Sequence, residues 1–154
     1  MRVPLTSCLV AISMVSVQAQ VPDLQPLNQE FMGAITFKMD RHGRLVMDHF
    51  DQGQRFRQDL VRIEELDPEA VSYSAEEHGI ALKCLPDKAQ CFSKEIFKLD
   101  VVRLTSRVTL AAPATDPEGA RTMLLLRDLI RSAQQVNDQA EAETPGRPLR
   151  MNQR

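Results

Sequence analysis

The chain has 154 residues and a formal net charge of −2, too near neutral to grip a phosphate backbone, so nucleic acid is not among the expected partners. Its hydrophobic share of 43% is enough to bury a core, and the length suits one domain. No internal repeat is visible.

The first segment reads as an address. Arg2 is followed by an uncharged, mostly apolar run from Leu5 to Val17 and then by Val17-Gln18-Ala19, a small-x-small cleavage pattern. Residues 1–19 are therefore expected to be a signal peptide. The run is shorter than the roughly 18 residues that cross a bilayer, so no stable membrane span is expected after cleavage. "LTSC" at Cys8 resembles a lipoprotein box, but the apolar run follows it instead of leading up to it. The expected location is secreted, periplasmic or extracellular.

Residues 20–33 are polar, hold two prolines and read as an extended lead-in with at most one helical turn. "AITFKMDRHGRLVMDHF" then reads as a hairpin. Ile35, Phe37 and Met39 alternate, Asp40 to Gly43 turn the chain, and Leu45 and Met47 alternate on the return. A helix through Leu27, Phe31, Ile35 and Met39 also fits the spacing; Gly33, Thr36 and Phe37 favour strands. After a turn at "DQGQ", "RFRQDLVRIEEL" reads as one long strand. Its apolar phase slips between Leu60 and Val61, which predicts a bulge. Asp67-Pro68-Glu69 makes a corner, "AVSYSAEE" a short strand and His78-Gly79 a tight turn.

Cys84 and Cys91 form an even pair once Cys8 is removed with the leader. In an oxidising compartment such a pair is expected to form a disulfide. Zinc ligation would need more ligands than the three histidines readily supply, and catalytic redox pairs have two intervening residues, not six. "GIALKCL" and "CFSKEIF" read as the arms of a hairpin around Pro86-Asp87. The phases of the two cysteines conflict, so an irregular loop is required. "VVRLTSRVTLAA" follows as a strand with Val102, Leu104, Val108 and Leu110 facing inward. A helix is predicted over 116–136, with Asp116 as N-cap and Pro117 at the first position, or Thr115 and Glu118 as a capping box. Met123, Leu126, Leu129, Ile130 and Ala133 share its buried face, and Leu124 lies opposite. Residues 137–154 read as a disordered polar tail ending in Arg147, Arg150 and Arg154.

The expected fold is thus α+β: a single β-rich domain over 34–136 with about seven antiparallel strands, in a small barrel or two packed sheets, capped by one C-terminal helix. This order of elements resembles the pleckstrin-homology-like arrangement, in which two sheets form a small barrel plugged by a helix. Phosphoinositide-binding members of that family carry several basic residues around the first loop. "KMDRHGR" supplies Lys38, Arg41 and Arg44, while a leader peptide argues against a cytosolic lipid target. The resemblance carries no activity with it.

The chain has no G-x-S-x-G, H-E-x-x-H, phosphate-loop or dinucleotide fingerprint. His42 and His78 sit at predicted turn tips. His49, flanked by Asp48 and Asp51 in "MDHFD", is the strongest catalytic or metal candidate, because a carboxylate can orient an imidazole. Glu64, Glu65, Asp67 and Glu69 read as surface charge around a proline corner. The expectation is a noncatalytic binding or accessory module without a cofactor, its partner a protein or envelope component. An extracellular inhibitor presenting residues 85–90 is one form of it. The alternative is a small hydrolase or metal-dependent enzyme centred on His49.

Overall fold

The computed structural model describes residues 21–143. The expected leader and the basic end of the tail, with Arg147, Arg150 and Arg154, lie outside the described residues.

Residues 27–39 divide between the two readings that their spacing allowed. Helix α1, Gln25–Phe31, buries Leu27 and Phe31, four positions apart on one face. The chain then reverses through Met32 and Gly33, both at positive φ, and enters strand β1, Ile35–Met39. The expected extended lead-in is therefore a short helix. Its Asn28 side chain accepts from the Phe37 N–H (2.7 Å) and donates to the Phe37 carbonyl (3.0 Å), fastening α1 along the free side of β1.

The first hairpin forms as its pattern predicts. The Asp40 carboxylate accepts from the N–H groups of Arg44 and His42, and Gly43 takes the positive φ of 71° that the turn demands. The Arg44 N–H, the Arg44 side chain and the His42 N–H hold the Asp40 carboxyl down at about 2, against the opposing effect of burial. Strand β2, Leu45–Asp51, pairs with β1 and with β3, Gln54–Val61.

Two antiparallel sheets result. Strands β1, β2 and β3 continue through β6, Phe92–Ile96, to β7, Val101–Thr105, in one five-stranded sheet. Strands β4, Ser72–Ser74, β5, Gly79–Lys83, and β8, Arg107–Ala111, make a three-stranded sheet. Ile35, Phe37, Leu45, Met47, Val61 and Phe92 from the larger sheet share one core with Ile80, Leu82, Val108 and Leu110 from the smaller. The sheets do not close into a barrel, because β1 and β7 remain the two ends of the larger one.

Three expectations about strands need correction. There are eight strands, because "VVRLTSRVTLAA" breaks at Ser106 into β7 and β8, which belong to different sheets. Val108 and Leu110 are buried as expected, but Val102 and Leu104 are 62% and 60% exposed. Period-two alternation is the same for a strand that changes sheets halfway, so the break left no mark in the pattern. The supposed long strand ends at Val61, and Ile63–Glu65 forms a 3-10 turn instead. The bulge lies at the other end of β3: His49 pairs with Arg57 and Phe50 with Arg55, leaving Phe56 as the extra residue.

The cysteine hairpin is also absent. Cys84 follows β5, Cys91 precedes β6, and these strands lie in different sheets. The two sulfurs are at disulfide distance, with Cα atoms 5.8 Å apart, and they link the sheets at a corner. The conflict of phases disappears because the cysteines never belonged to one pleated surface. Cys84 also forms an isolated antiparallel bridge with Leu66, and its N–H donates to the Ser106 carbonyl at 2.9 Å.

The closing helix α2 spans Ala120–Glu143, so it starts later than position 116 and continues past 136 into the expected tail. Asp116 does cap it, from within the preceding turn: its carboxylate accepts from the Thr122 N–H and hydroxyl, both at 2.8 Å. Pro117 and Glu118 lie in that turn, before the first helical residue. Gly119, at φ 68°, bridges turn and helix, and a Cβ there would meet Ile80 Cγ1 at 2.7 Å. The buried face is the expected one, with Leu126, Leu129 and Ile130 inside and Leu124 exposed. It covers the 3-10 turns at Ile63–Glu65 and Pro68–Ala70 and touches α1 and β4. The acidic corner is held by its own turn and by α2: Asp67 caps the second 3-10 turn, and Glu69 pairs with Arg131.

Replacing Cys91 by serine relieves the unfolded chain of a short loop, and is expected to lower the unfolding free energy by about 2 to 3 kcal/mol. Urea transitions of the two proteins measure this. Coincident curves, or two free thiols found by alkylation of the unreduced parent, would show that the link carries no stability.

Candidate functional site

Neighbouring residues on a strand point to opposite faces, and this separates the residues that the sequence grouped around His49. His49 faces the interior and is 4% exposed. Asp48 faces the other side of the sheet, and Asp51 lies exposed at the end of β2. The three do not converge.

The true neighbours of His49 come from β3. Register places Arg57 opposite His49 and Asp59 opposite Met47, so both side chains share its inner face. His49 Nε2 lies 2.8 Å from Asp59 Oδ2 and 3.0 Å from Arg57 Nη2, while Arg57 Nε donates to the same Asp59 oxygen at 2.9 Å. The bulge brings the Phe56 ring edge-on to the imidazole, with centroids 6.1 Å apart. Arg57 also reaches across to the other sheet and donates to the Thr109 carbonyl at 2.9 Å. A charged clamp thus ties β2, β3 and β8 together inside the core.

Its electrostatics favour a neutral imidazole. Burial lowers the His49 pKa below its ordinary value and the Arg57 charge adds to this, outweighing the Asp59 hydrogen bond that pulls upward. A neutral Nε2 serves one neighbour at a time: protonated it donates to Asp59, and unprotonated it accepts from Arg57. Asp59 Oδ1 is buried and has no partner within the described residues. Such a group is held in place by the Arg57 pair, and losing that pair would be costly.

Asp48 organises a separate cluster on the outer face. Its carboxylate accepts from Lys38 (2.6 Å), Gln58 (2.6 Å) and Arg55 (3.1 Å). Burial pushes its pKa up, but the Lys38 and Gln58 hydrogen bonds and the charges of Lys38 and Arg55 outweigh this and leave it lowered. The Arg55 guanidinium also lies over the Phe97 ring, 4.4 Å from its centroid. Among the described residues no group of three or more His, Cys, Asp or Glu side chains is placed to hold a metal ion. His42 and His78 are exposed at their turns, as expected.

Two features remain that face solvent. Pro86 to Gln90, between the linked cysteines, are all exposed. Strand β7 ends the larger sheet, and Val102, Arg103 and Leu104 are exposed on its two faces. Sequence reasoning placed Val102 and Leu104 inside and passed over Arg57 and Asp59. The signal for the second pair was the odd-numbered series Arg57, Asp59, Val61, which matches His49, Met47 and Leu45 once the register is known. Comparisons with protein families, with curated proteins and with solved structures find no match to the chain.

Asp59→Ala leaves the Arg57 guanidinium, whose side chain is 15% exposed, without its counter-charge. The expected loss is about 3 kcal/mol of unfolding free energy, and an unchanged urea midpoint would refute the clamp. The pH dependence has a definite sign. The folded His49 pKa lies below the unfolded value, so stability is complete above about pH 6.5 and declines as the pH falls below it. The melting temperature of the parent is therefore expected to drop as the pH falls below about 6.5, with a shallower slope in His49→Gln. Equal slopes would show that His49 titrates alike in both states.

Proposed function

We propose that the protein is an exported, noncatalytic binding module whose partner is a protein or other envelope component. The observation that carries this reading is the exposure of Val102 and Leu104, at 62% and 60%, on the last strand of the larger sheet, with Leu99 just before that strand at 62%. Single exposed apolar residues are ordinary. Two on one face of a terminal strand form a surface that association can bury.

Other features support the reading. Export agrees with the cysteine pair at disulfide distance, since such links persist outside the reducing cytosol. Among the described residues no helix is long and apolar enough to cross a membrane. The interior position of His49 favours a binding role over catalysis. Its Nε2 lies within hydrogen-bond reach of Asp59 and Arg57, and substrate would have to displace buried groups to reach it.

The test is affinity capture by the full chain from envelope and culture fractions, with amino-terminal sequencing of the exported protein. A stoichiometric partner and a mature chain beginning at Gln20 are expected. Unprocessed protein in the cytoplasm with unpaired sulfurs would overturn export, and repeated capture of nothing would overturn the binding role.

A further inference from the structure

The two ends of the five-stranded sheet are treated differently. At β1 the outward N–H and carbonyl of Phe37 are both taken by Asn28, so α1 covers that edge. At the opposite end β7 pairs only with β6, and it has no second partner strand among the described residues. An uncovered edge offers a row of backbone donors and acceptors to any extended chain that approaches it.

The side chains state what such a chain must carry. On the outer face, register aligns Leu104 with Ser93, Leu60 and Val46, and Val102 stands beside Glu95. On the inner face Arg103 stands directly across from Lys94; neither forms an ion pair within the described residues, and Glu77, which feels the Lys94 charge, is itself held by Arg107 and Thr109. Asp59, next in that row, is engaged by Arg57 and His49. Like charges directly opposite each other destabilise a strand pair unless a counter-charge is supplied.

We infer that β7 is a docking edge for an extended, acidic strand of a partner protein, which joins the sheet with a carboxylate facing Arg103 and Lys94 and apolar residues flanking Val102 and Leu104. This rests on the binding-module reading above and names the partner's chemistry. A second copy is a poor occupant, because antiparallel self-pairing centred on Arg103 sets two guanidinium groups face to face. The chain's own ends are equally poor, since residues 1–20 and 144–154 contain no Asp or Glu and would add arginines. Glu95 on the outer face further requires that the partner's carboxylate lie on the inner side only.

The experiment uses the full chain and two labelled nine-residue peptides in fluorescence anisotropy. Both alternate threonine and valine; one carries glutamate at its central position and the other lysine. The parent is expected to bind the glutamate peptide about five- to tenfold more tightly than the lysine peptide. Arg103→Glu, at an exposed position and with its circular dichroism spectrum checked, is expected to reverse that preference. Leu104→Lys is expected to weaken both complexes. Equal affinities, no binding by the parent, or a preference unchanged in Arg103→Glu would overturn the inference. So would a parent dimer in sedimentation that Arg103→Glu dissolves. A partner captured equally by the parent and by Arg103→Glu would also overturn it while leaving the binding-module reading intact, whereas failure of capture by the parent bears on that reading instead.

Discussion

The architecture depends on the corner at Cys84. Four segments meet there: the end of β5, the Leu66 bridge, the Ser106 carbonyl and, through sulfur, the start of β6. A chain that leaves one sheet for another exposes backbone groups that the core cannot solvate. Here they are satisfied in sequence, with Asp67 N–H donating to Lys83, Leu85 N–H to Glu65 and Cys84 N–H to Ser106. The covalent link restricts how far those segments can separate. It therefore holds the two sheets together at that corner.

Inside that core the Arg57–Asp59–His49 clamp has a different task. Desolvating two charges costs about as much as their attraction returns, so the clamp contributes more to arrangement than to net stability. Arg57 must meet Asp59 on its own strand, His49 across the ladder and the Thr109 carbonyl on the other sheet. A slip of one residue would turn all of these side chains to the wrong face. The Phe56 bulge is part of the same device, because it sets an aromatic ring edge-on to the imidazole.

The corner and the clamp together leave one end of the larger sheet open. At Ser106 the chain departs for the smaller sheet, so β7 cannot gain a neighbour from its own continuation. α1 is committed to β1, and α2 to the 3-10 turns and the smaller sheet. The proposed binding edge is thus what the fold leaves over after its own requirements are met, and the side chains there are suited to a partner of opposite charge.

Much of this was open to reading along the chain. Hydrophobic alternation located β1, β2 and β8, the buried face of α2 followed from its 3.6-residue period, and the pairing of Cys84 with Cys91 was suggested by their isolation and short separation. These are local matters, decided by propensity, spacing and turn chemistry within a few residues. Partnership between distant strands was decided elsewhere. Whether Val102 is inside depends on which sheet β7 joins, and whether His49 meets Asp48 or Asp59 depends on the register of β2 against β3. Those outcomes are set by the packing of segments far apart in the chain. The residues themselves determined most of the elements and the cysteine pair; tertiary packing alone broke β7 from β8, turned Asp59 and Arg57 inward and left Leu104 in water.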